Sequence, residues 1–308
     1  MSNSLSRLLM FLLLGLCRQA DADADGEFLR EVASGVYMHR GLDADLDDAG
    51  RGDSANLGVV IGTRCVAVID SGGALATGRA LRAAIARLTD KPVCYVINTH
   101  VHFDHVLGNA VFAAPGTEFI GQEHLPEALA ASRDYFAESF AAELGGTGQG
   151  DQVIVPSRAV KDKERLDLGG RSLLLQAVAL AHTATDLTVV DEQTNTLFAG
   201  DLVFRERLPV LDGSLKGWLS WLSTASAQHY AHVVPGHGPL DEAWPAGALA
   251  EQRYFEALLS DTRAALTKGV FIEDAKDSVA QGERAHWRLT ERAHPLNVSR
   301  AFRELEWE

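Results

Sequence analysis

The sequence predicts an α/β protein with two halves, each containing a β-sheet, and with the two sheets facing each other. The main observation is that a series of short strand-like runs followed by a helical pattern occurs twice along the chain. The composition, 46% hydrophobic and 23% charged, is that of an ordinary globular protein. With 308 residues, the chain is near the upper limit for a single hydrophobic core.

In the first half, apolar and β-branched runs predict strands at Phe28 to Val32, Val36 to His39, Asn56 to Ile61, Cys65 to Ile69 and Val93 to Asn98. Ala74 to Leu88 has the periodicity of an amphipathic helix, and residues 124–143 form a second helical stretch. The acidic segment Leu42 to Ser54 has the composition of a solvated loop, but its length also suits the border of a site.

In the second half, short strands are predicted at Arg165 to Leu168, Ser172 to Leu180, Leu187 to Asp191, Thr196 to Phe198 and Val233 to Val234. Helices are predicted at about 214–228 and 247–268, and residues 239–308 are expected to form a C-terminal helical extension. The glycine-rich run Gly145 to Gly150 is the best candidate for a hinge or linker.

The first 24 residues have the pattern of an export signal. Arg7 precedes the nine-residue apolar run Leu8 to Leu16, and small residues for cleavage follow at Ala20 to Ala24. A helix of that length covers only about half of a bilayer core, so no permanent membrane span is expected. We therefore expect a signal peptide at 1–24 and a single periplasmic or secreted domain at 25–308.

Charge and cysteine content restrict the possible functions further. A net charge of −14 argues against nucleic acid as a partner, because phosphate binding needs a basic surface. Three cysteines are too few for a disulfide scaffold. Cys65 and Cys94 begin apolar runs that look like neighbouring buried strands, and we expect two inert core thiols rather than a disulfide.

The segment Thr99 to His105 contains three histidines and one aspartate in an H-x-H-x-D-H arrangement. In an extended segment, residues two apart point the same way, so His100 and His102 can bind one metal ion together. Asp104 and His105 follow a turn and can reach a second ion nearby. Zn²⁺ accepts this mixture of imidazole and carboxylate ligands.

Three later residues have the right chemistry to complete such a site. His182, Asp201 and His237 each follow a predicted strand, beside a glycine or another small residue. Open α/β sheets place their sites at the carboxyl ends of strands, so these side chains are expected to converge on the His100 cluster.

Five segments in order between Glu27 and Gly238 resemble those of the metallo-β-lactamase-fold superfamily: Val68 to Gly72, Thr99 to His105, Ala181 to Asp186, Phe198 to Asp201 and Val234 to Gly238. The resemblance implies an αβ/βα four-layer sandwich, in which two mixed β-sheets pack face to face with helices outside. It also implies a site for two metal ions at one edge of the sheets.

The resemblance implies seven ligands for two Zn²⁺ ions, with Fe as an alternative metal. One ion would be held by His100, His102 and His182, the other by Asp104, His105 and His237, and Asp201 would bridge both. Asp70 would orient a ligating imidazole, although a strand-end aspartate can also cap the next turn.

The expected function is metal-dependent hydrolysis of an ester, thioester, lactone or amide-type bond by a hydroxide that bridges the two metal ions. Asp104 would orient the nucleophile and transfer its proton. The alternatives are a single-iron oxidoreductase similar to sulfur dioxygenases, a β-lactamase, and a non-catalytic metal-binding accessory of a quinoprotein dehydrogenase.

A finer resemblance is to exported enzymes called quinoprotein relay system zinc metallohydrolases. It rests on Ala55 to Gly58, Tyr95 to His102 and Pro209 to Trp218. The name implies association with periplasmic quinoprotein dehydrogenases, in addition to a small-molecule substrate.

Substrate recognition is less well defined by the sequence. Phe204 stands where zinc β-lactamases with a cysteine ligand carry a lysine that binds the antibiotic, so such a lactamase is disfavoured. Arg205 and Arg207 could hold an anionic substrate or be solvated charges. Trp218 and Trp221, three residues apart, more often mark a packed helix face than a pocket wall.

Overall fold

The structure, a computed structural model, describes residues 27–308, so the predicted signal peptide at 1–24 lies outside the described residues. Two mixed β-sheets of seven and five strands form the centre of the molecule. The chain completes the first sheet before it begins the second, as the repeated order of strands and helices predicted.

The seven-stranded sheet has its strands in sequence order. The strands are β1 (Arg30–Ala33), β2 (Val36–His39), β3 (Leu57–Ile61), β4 (Val66–Ile69), β5 (Val93–Ile97), β6 (Glu118–Gln122) and β7 (Arg158–Val160). Strands β1 to β4 pair antiparallel, and β4 to β7 pair parallel. The parallel strands place several carboxyl ends at one edge of the sheet.

The five-stranded sheet has the order β12-β11-β10-β9-β8. Its strands are β8 (Lys163–Asp167), β9 (Ser172–Ala177), β10 (Leu187–Asp191), β11 (Thr196–Phe204) and β12 (His232–His237). Only β11 and β12 run parallel, so their carboxyl ends lie together.

Eight α-helices accompany the strands among the described residues: α1 (Leu75–Leu88), α2 (Phe103–Val106), α3 (Leu125–Ser139), α4 (Leu215–Ser226), α5 (Ala246–Thr267), α6 (Ile272–Ala275), α7 (Gln281–Arg284) and α8 (Thr290–Leu305). Residues 239–308 are largely helical. None of the helices in the described part of the chain is long and apolar enough to cross a membrane.

Three buried layers show the predicted sandwich. Between the sheets, residues such as Val60 and Ile97 pack with Leu175 and Val189 of the second sheet. On the outer face of the first sheet, α1 contributes Leu81 and two further apolar residues to a second cluster. Helices α4, α5 and α8 cover the outer face of the second sheet around the fully buried Trp218. The order helix–sheet–sheet–helix confirms the four-layer α/β fold.

Two details of the first sheet were not predicted. Strands β6 and β7 had no assignment, and β7 follows the glycine-rich run at 145–150 while still pairing with β6. The run therefore does not separate the two sheets. The chain passes from one sheet to the other at residues 161–162, between β7 and β8.

The expectation of two inert thiols is wrong, because Cys65 and Cys94 form a disulfide. Cys65 directly precedes β4 and Cys94 lies in β5, and these parallel neighbours bring the two Cα atoms to 5.8 Å. That separation is normal for a disulfide. The sequence located both cysteines on adjacent strands but did not reveal the register that joins them.

Candidate metal centre

The H-x-H-x-D-H segment lies at the carboxyl end of β5, as predicted. His100 and His102 belong to the short loop after this strand, and Asp104 and His105 lie in α2. Helix α2 begins at Phe103, so its first turn brings Asp104 and His105 towards the side chains of the preceding loop. The local order of strand, loop and helical turn brings four candidate ligands into one small region.

The other three candidates come from the second sheet. His182 lies in the loop between β9 and β10, and Asp201 and His237 lie on the parallel strands β11 and β12. The prediction that Asp201 follows a strand ending at Phe198 is wrong in detail, since β11 continues to Phe204. His237 likewise is the last residue of β12 rather than a residue beyond it.

Two glycines allow these strands to come so close to the site. A Cβ atom on Gly236 would lie 1.9 Å from Asp201 Oδ1, so only glycine fits beside this carboxylate. Gly200 has φ +54°, and a Cβ atom there would lie 2.6 Å from Thr99. At both positions a side chain would collide with a neighbouring residue. This explains why a glycine directly precedes Asp201 and His237.

The structure brings all seven predicted residues together in two groups. In the first, the potential ligand atoms of His100, His102, His182 and Asp201 lie within 4.8 Å of one another. His182 Nε2 is 3.0 Å from His102 Nδ1, and Asp201 Oδ2 is 3.5 Å from His182 Nε2. The group has the imidazole and carboxylate composition that suits Zn²⁺ or Fe.

The second group contains Asp104, His105 and His237, whose ligand atoms also lie within 4.8 Å of one another. Asp104 Oδ2 is 3.4 Å from His237 Nε2 and 3.9 Å from His105 Nε2. Asp201 reaches this group too, with Oδ1 3.1 Å from His105 Nε2 and Oδ2 3.3 Å from His237 Nε2. The Asp201 carboxylate therefore lies between the two groups.

Asp70 orients candidate ligands from both groups. Its Oδ2 accepts hydrogen bonds from His105 Nδ1 at 2.8 Å and from Thr99 Oγ1 at 2.7 Å. Thr99 Oγ1 in turn lies 3.0 Å from His100 Nδ1. These contacts leave the Nε2 atoms of both imidazoles facing the site. The predicted orienting contact is present, whereas the alternative role of a simple turn cap does not describe these interactions.

Sequence reasoning missed several residues that orient the remaining imidazoles. Asp212 Oδ2 lies 3.2 Å from His102 Nε2, and Arg300 of α8 donates to Asp212 Oδ1. The Val210 carbonyl lies 2.8 Å from His182 Nδ1, and the Ser54 carbonyl lies 2.8 Å from His237 Nδ1. Backbone carbonyls give no sequence signal, and Asp212 is distant in sequence from His102.

Two side chains support the loops around the site. Ser54 Oγ donates a hydrogen bond of 2.9 Å to Asp104 Oδ2 and thereby fixes that carboxylate. Asp186 accepts hydrogen bonds from the backbone N–H and the hydroxyl of Thr183, which closes the loop that carries His182. Burial raises the pKa of Asp186 to about 7.

The unpaired polar atoms of the site fit bound cations. His100 Nε2, His105 Nε2 and Asp201 Oδ1 are buried and make no hydrogen bond of normal geometry among the described residues, although Asp201 Oδ1 lies 3.1 Å from His105 Nε2. An unsatisfied buried polar atom is costly, and such atoms converge here from three different elements. Divalent cations coordinated by these nitrogens and oxygens would satisfy them.

Burial and neighbouring charges shift the ionisation of these side chains. Burial lowers the pKa of His182 to about 3 and that of His100 well below its usual value. Burial acts to raise the pKa of Asp201, but the imidazoles of His237, His105 and His100 outweigh it and hold the pKa well below its usual value. Burial acts to lower the pKa of His105, but Asp201, Asp70 and Asp104 outweigh it and raise the pKa well above its usual value. Metal ions bind neutral imidazoles and ionised carboxylates, so a bound cation would displace the proton from His105.

A cavity of about 370 Å³ opens onto the site. His102, Asp104, Asp201 and His237 form part of its lining. The acidic loop at 42–54 contributes further lining residues, so this loop borders the site and is not only a solvated connection. The C-terminal segment, including the first turns of α8, also contributes lining residues.

Comparison with known protein families gives one match, to a family model described as the metallo-beta-lactamase superfamily, over residues 50–237. This range contains all seven candidate ligands. No curated protein sequence matches the chain significantly.

Among solved structures, a stereoselective inverting sec-alkylsulfatase from a Pseudomonas species is similar, with a TM-score of 0.66 and 16% sequence identity. The match covers 91% of this chain and 50% of the sulfatase, so the chain spans about half of that protein's length. A metallo-beta-lactamase from Pontibacter korlensis has a TM-score of 0.57 and 20% identity, with 73% of this chain and 98% of the lactamase covered. At these identities the similarity shows the fold alone.

Proposed function

We propose that this chain, which belongs to the metallo-beta-lactamase superfamily, is a hydrolase that uses two zinc ions to cleave an ester, thioester, lactone or amide-type bond. The observation that carries the proposal is the position of the Asp201 carboxylate. Its two oxygens face imidazole nitrogens from both groups, at 3.1 Å from His105 and 3.5 Å from His182. A carboxylate placed in this way can serve two cations at once.

We assign His100, His102 and His182 to the first cation, Asp104, His105 and His237 to the second, and Asp201 to both. When bound, the cations would lower the pKa of a coordinated water and polarise the bond to be cleaved. The histidines use one ring nitrogen each for this purpose, since the other nitrogen is held by Asp70, Thr99, Asp212 or a backbone carbonyl.

Asp104 is the residue proposed to orient the attacking water and to transfer its proton. It lines the cavity, and Ser54 Oγ holds its Oδ2. Burial acts to raise the pKa of Asp104, but His105 and His237 outweigh it and lower the pKa below its usual value. The carboxylate is therefore ionised at neutral pH and can accept a proton.

The proposal includes export by the N-terminal signal and association with a periplasmic quinoprotein dehydrogenase system. The sequence pattern of residues 1–24 and the resemblance to quinoprotein relay system zinc metallohydrolases support these two points. N-terminal sequencing of the exported protein tests the first. Co-purification with a dehydrogenase from the periplasm tests the second.

The central experiment measures metal content and activity on the same preparation. Protein purified without added metal is expected to contain two zinc ions per chain and to hydrolyse at least one member of a panel of esters, thioesters, lactones and lactams. Asp201→Asn should lose bound zinc and lower kcat by at least about 100-fold, because one substitution weakens both cation sites. Asp134→Asn, at an exposed position of α3, is the matched control.

The same experiment separates the alternatives. One iron per chain would favour the single-iron oxidoreductase, and bound metal without hydrolysis of any panel member would favour the non-catalytic accessory. A preference for lactams would favour a β-lactamase. Against the last, Phe204 is fully buried and stacks on His237 with ring centroids 5.0 Å apart, so it offers no cation to a lactam carboxylate.

A second candidate reaction is hydrolysis of a sulfate ester. The alkylsulfatase match covers 91% of this chain, whereas the lactamase match covers 73%. The similarity of fold to the alkylsulfatase therefore includes parts of this chain that the lactamase match does not cover. A secondary alkyl sulfate therefore belongs in the substrate panel, and its exclusive hydrolysis would favour this candidate.

A further inference from the structure

The cavity beside the candidate metal centre has two kinds of surface. Its polar part consists of the site residues and lies next to Asp104 and Asp201. The rest is mainly apolar, with two sets of lining residues, here called the apolar walls. The first half of the chain contributes Leu46, Phe103, Tyr135, Phe136 and Phe140, and the C-terminal segment contributes Leu289, Ala293 and Leu296. A ligand that fills the cavity would therefore place an apolar portion between these walls and its reacting group near the site.

Three arginines line this cavity, and they differ in whether a carboxylate pairs with the guanidinium. Arg51 donates to Glu143 at 2.7 Å, and Arg292 pairs with Asp47 at 2.8 Å. Arg207 is half-buried, and no described carboxylate lies within 4.0 Å of its guanidinium. Arg207 thus has no ion-pair partner at this distance, although its charge contributes to lowering the pKa of the nearby Asp104. Its guanidinium lies on the cavity wall beside the metal centre.

The contact between Arg207 and His237 does not satisfy the guanidinium of Arg207. Arg207 Nη1 lies 3.2 Å from His237 Nδ1, which also lies 2.8 Å from the Ser54 carbonyl. If His237 Nε2 faces the metal centre, Nδ1 carries the proton and donates it to Ser54, so it has no lone pair for Arg207. The guanidinium donors remain available to a ligand in the cavity.

Arg205 shows that this arrangement is specific to Arg207. Only two residues away, Arg205 donates to the Leu240 carbonyl and lies 3.9 Å from the buried Asp241. It faces a different, smaller cavity of about 230 Å³. Of the two arginines noted in the sequence, only Arg207 faces the metal centre.

We propose that Arg207 binds an anionic group of the substrate next to the bond that is cleaved, and that the substrate is an anionic amphiphile with an alkyl or aryl portion between the apolar walls. This inference rests on the proposed hydrolytic function. A guanidinium offers a paired, charged hydrogen-bond donor that matches the geometry of a carboxylate or a sulfate. Half-burial strengthens the interaction, because it reduces solvent screening.

The test uses two esters that differ by one charge. Decyl hydrogen succinate carries a carboxylate next to the ester, and decyl methyl succinate has the same chain without the charge. For the zinc-loaded full-length chain, kcat/KM for the acid is expected to exceed that for the neutral diester by at least about tenfold. Arg207→Gln should reduce this ratio to near one, and Arg207→Lys should retain part of it.

Arg205→Gln is the matched control, because it removes a nearby arginine that faces another cavity; its ratio should equal that of the wild-type protein. Circular dichroism verifies that each variant is folded. An unchanged ratio in Arg207→Gln, or a wild-type preference for the neutral diester, would overturn the inference.

The apolar part is tested by shortening the alkyl chain to methyl, which should lower kcat/KM for the acid. An unchanged kcat/KM would contradict the role of the apolar walls.

A binding measurement tests the anion site at Arg207 separately from the proposed hydrolytic function. Decane-1-sulfonate resembles the anionic amphiphile but is not hydrolysed. It should bind the wild-type protein at least about tenfold more tightly than Arg207→Gln, by isothermal titration calorimetry. If neither ester is hydrolysed but this difference is found, the hydrolytic function fails while the anion site stands. Equal affinities would overturn the anion site.

Discussion

At the scale of single residues, Asp70 has the widest influence on the candidate metal centre. It contacts His105 directly and His100 through Thr99, and it also accepts a hydrogen bond of 2.8 Å from the Thr99 backbone N–H. Its backbone has φ +59°, a conformation that aspartate and asparagine tolerate better than most residues. One carboxylate at the end of β4 therefore organises ligands on both sides of Asp201.

Asp70→Asn removes the charge but retains the size and the tolerance of this backbone conformation. We expect zinc affinity to fall about 10- to 100-fold, because the amide is a weaker acceptor for His105 and for Thr99, which contacts His100, and only one of its two ends can accept. Competition with a chromogenic chelator measures the change. Asp167→Asn, at the exposed end of β8, is the control, and equal zinc affinities in both variants would contradict this role for Asp70.

Glu251 of α5 is a second residue whose environment has a measurable consequence, in this case for the stability of the folded protein. It is fully buried, and neither carboxylate oxygen has a hydrogen-bond partner among the described residues. Burial raises its pKa well above the usual value. Above about pH 4.5 the unfolded chain releases this proton while the folded chain retains it, so the folded state loses stability as the pH rises.

Glu251→Gln replaces the protonated acid by a group of similar shape that does not titrate. We expect the variant to unfold at a higher temperature than the wild type at pH 8, by at least about 1 kcal/mol or 2–4 °C, and the difference to shrink towards pH 4.5. Thermal unfolding across this pH range measures it. A difference that does not depend on pH would show that Glu251 does not change its protonation on unfolding.

At the scale of elements, α8 stabilises the loop that precedes α4. Asn297 accepts a hydrogen bond from Leu211 N and donates to the Pro209 carbonyl. Glu304 accepts hydrogen bonds from Ser214 Oγ and Leu215 N at the beginning of α4. Because this loop carries the Val210 carbonyl and Asp212, the C-terminal helix influences the orientation of His182 and His102.

Asn297→Ala removes two loop contacts and a hydrogen bond to the Tyr254 hydroxyl. We expect a loss of about 2–4 kcal/mol in the free energy of unfolding, because the partners are buried and would remain unsatisfied. Zinc affinity should fall as well, through the displaced loop. Ser299→Ala, on the same helix, makes only a local hydrogen bond to Pro295 and serves as the control in denaturant titrations. A similar stability for both variants would argue against a structural role of Asn297.

The individual strands and helices differ in how well they could be predicted from the sequence. Strands β2 and β5 and helix α1 were located within a residue or two, because each has a clear period and is bordered by glycine, proline or charged residues. Strand β6 was missed because Glu118–Gln122 contains only two apolar residues, Phe119 and Ile120, before a glycine, and β7 was missed because Arg158–Val160 has only three residues. Helix α8 was hidden by Pro295 in its first turns, a residue that sequence rules treat as a helix boundary.

At the scale of the whole molecule, the residues of the candidate site were easier to locate in the sequence than the packing around them. The seven ligand candidates come from segments whose residue types and small neighbours restrict their chemistry. Asp212 and Arg207 could not be assigned in the same way, because their roles depend on where α8 and the Ser54 loop pack. That packing results from many apolar contacts, and no local pattern in the sequence encodes it.

The disulfide connects the fold to the proposed export. Cys65 and Cys94 are 29 residues apart and link β4 to β5, and α1 lies between them. Closing a loop of this length reduces the entropy of the unfolded chain and should stabilise the folded state by about 3–4 kcal/mol. The bond forms in an oxidising compartment such as the periplasm and is rare in a reducing cytosol.

We therefore expect the exported protein to contain no thiol that reacts with Ellman's reagent after denaturation, if residues 1–24 are removed together with Cys17. The double variant Cys65→Ala/Cys94→Ala should unfold at a denaturant concentration lower by the equivalent of about 3–4 kcal/mol. Wild-type protein treated with a reductant should match the double variant, whereas the reductant should leave the variant unchanged. Two reactive thiols in the exported protein, or equal stabilities of the untreated wild-type protein and the double variant, would show that the disulfide does not form under these conditions.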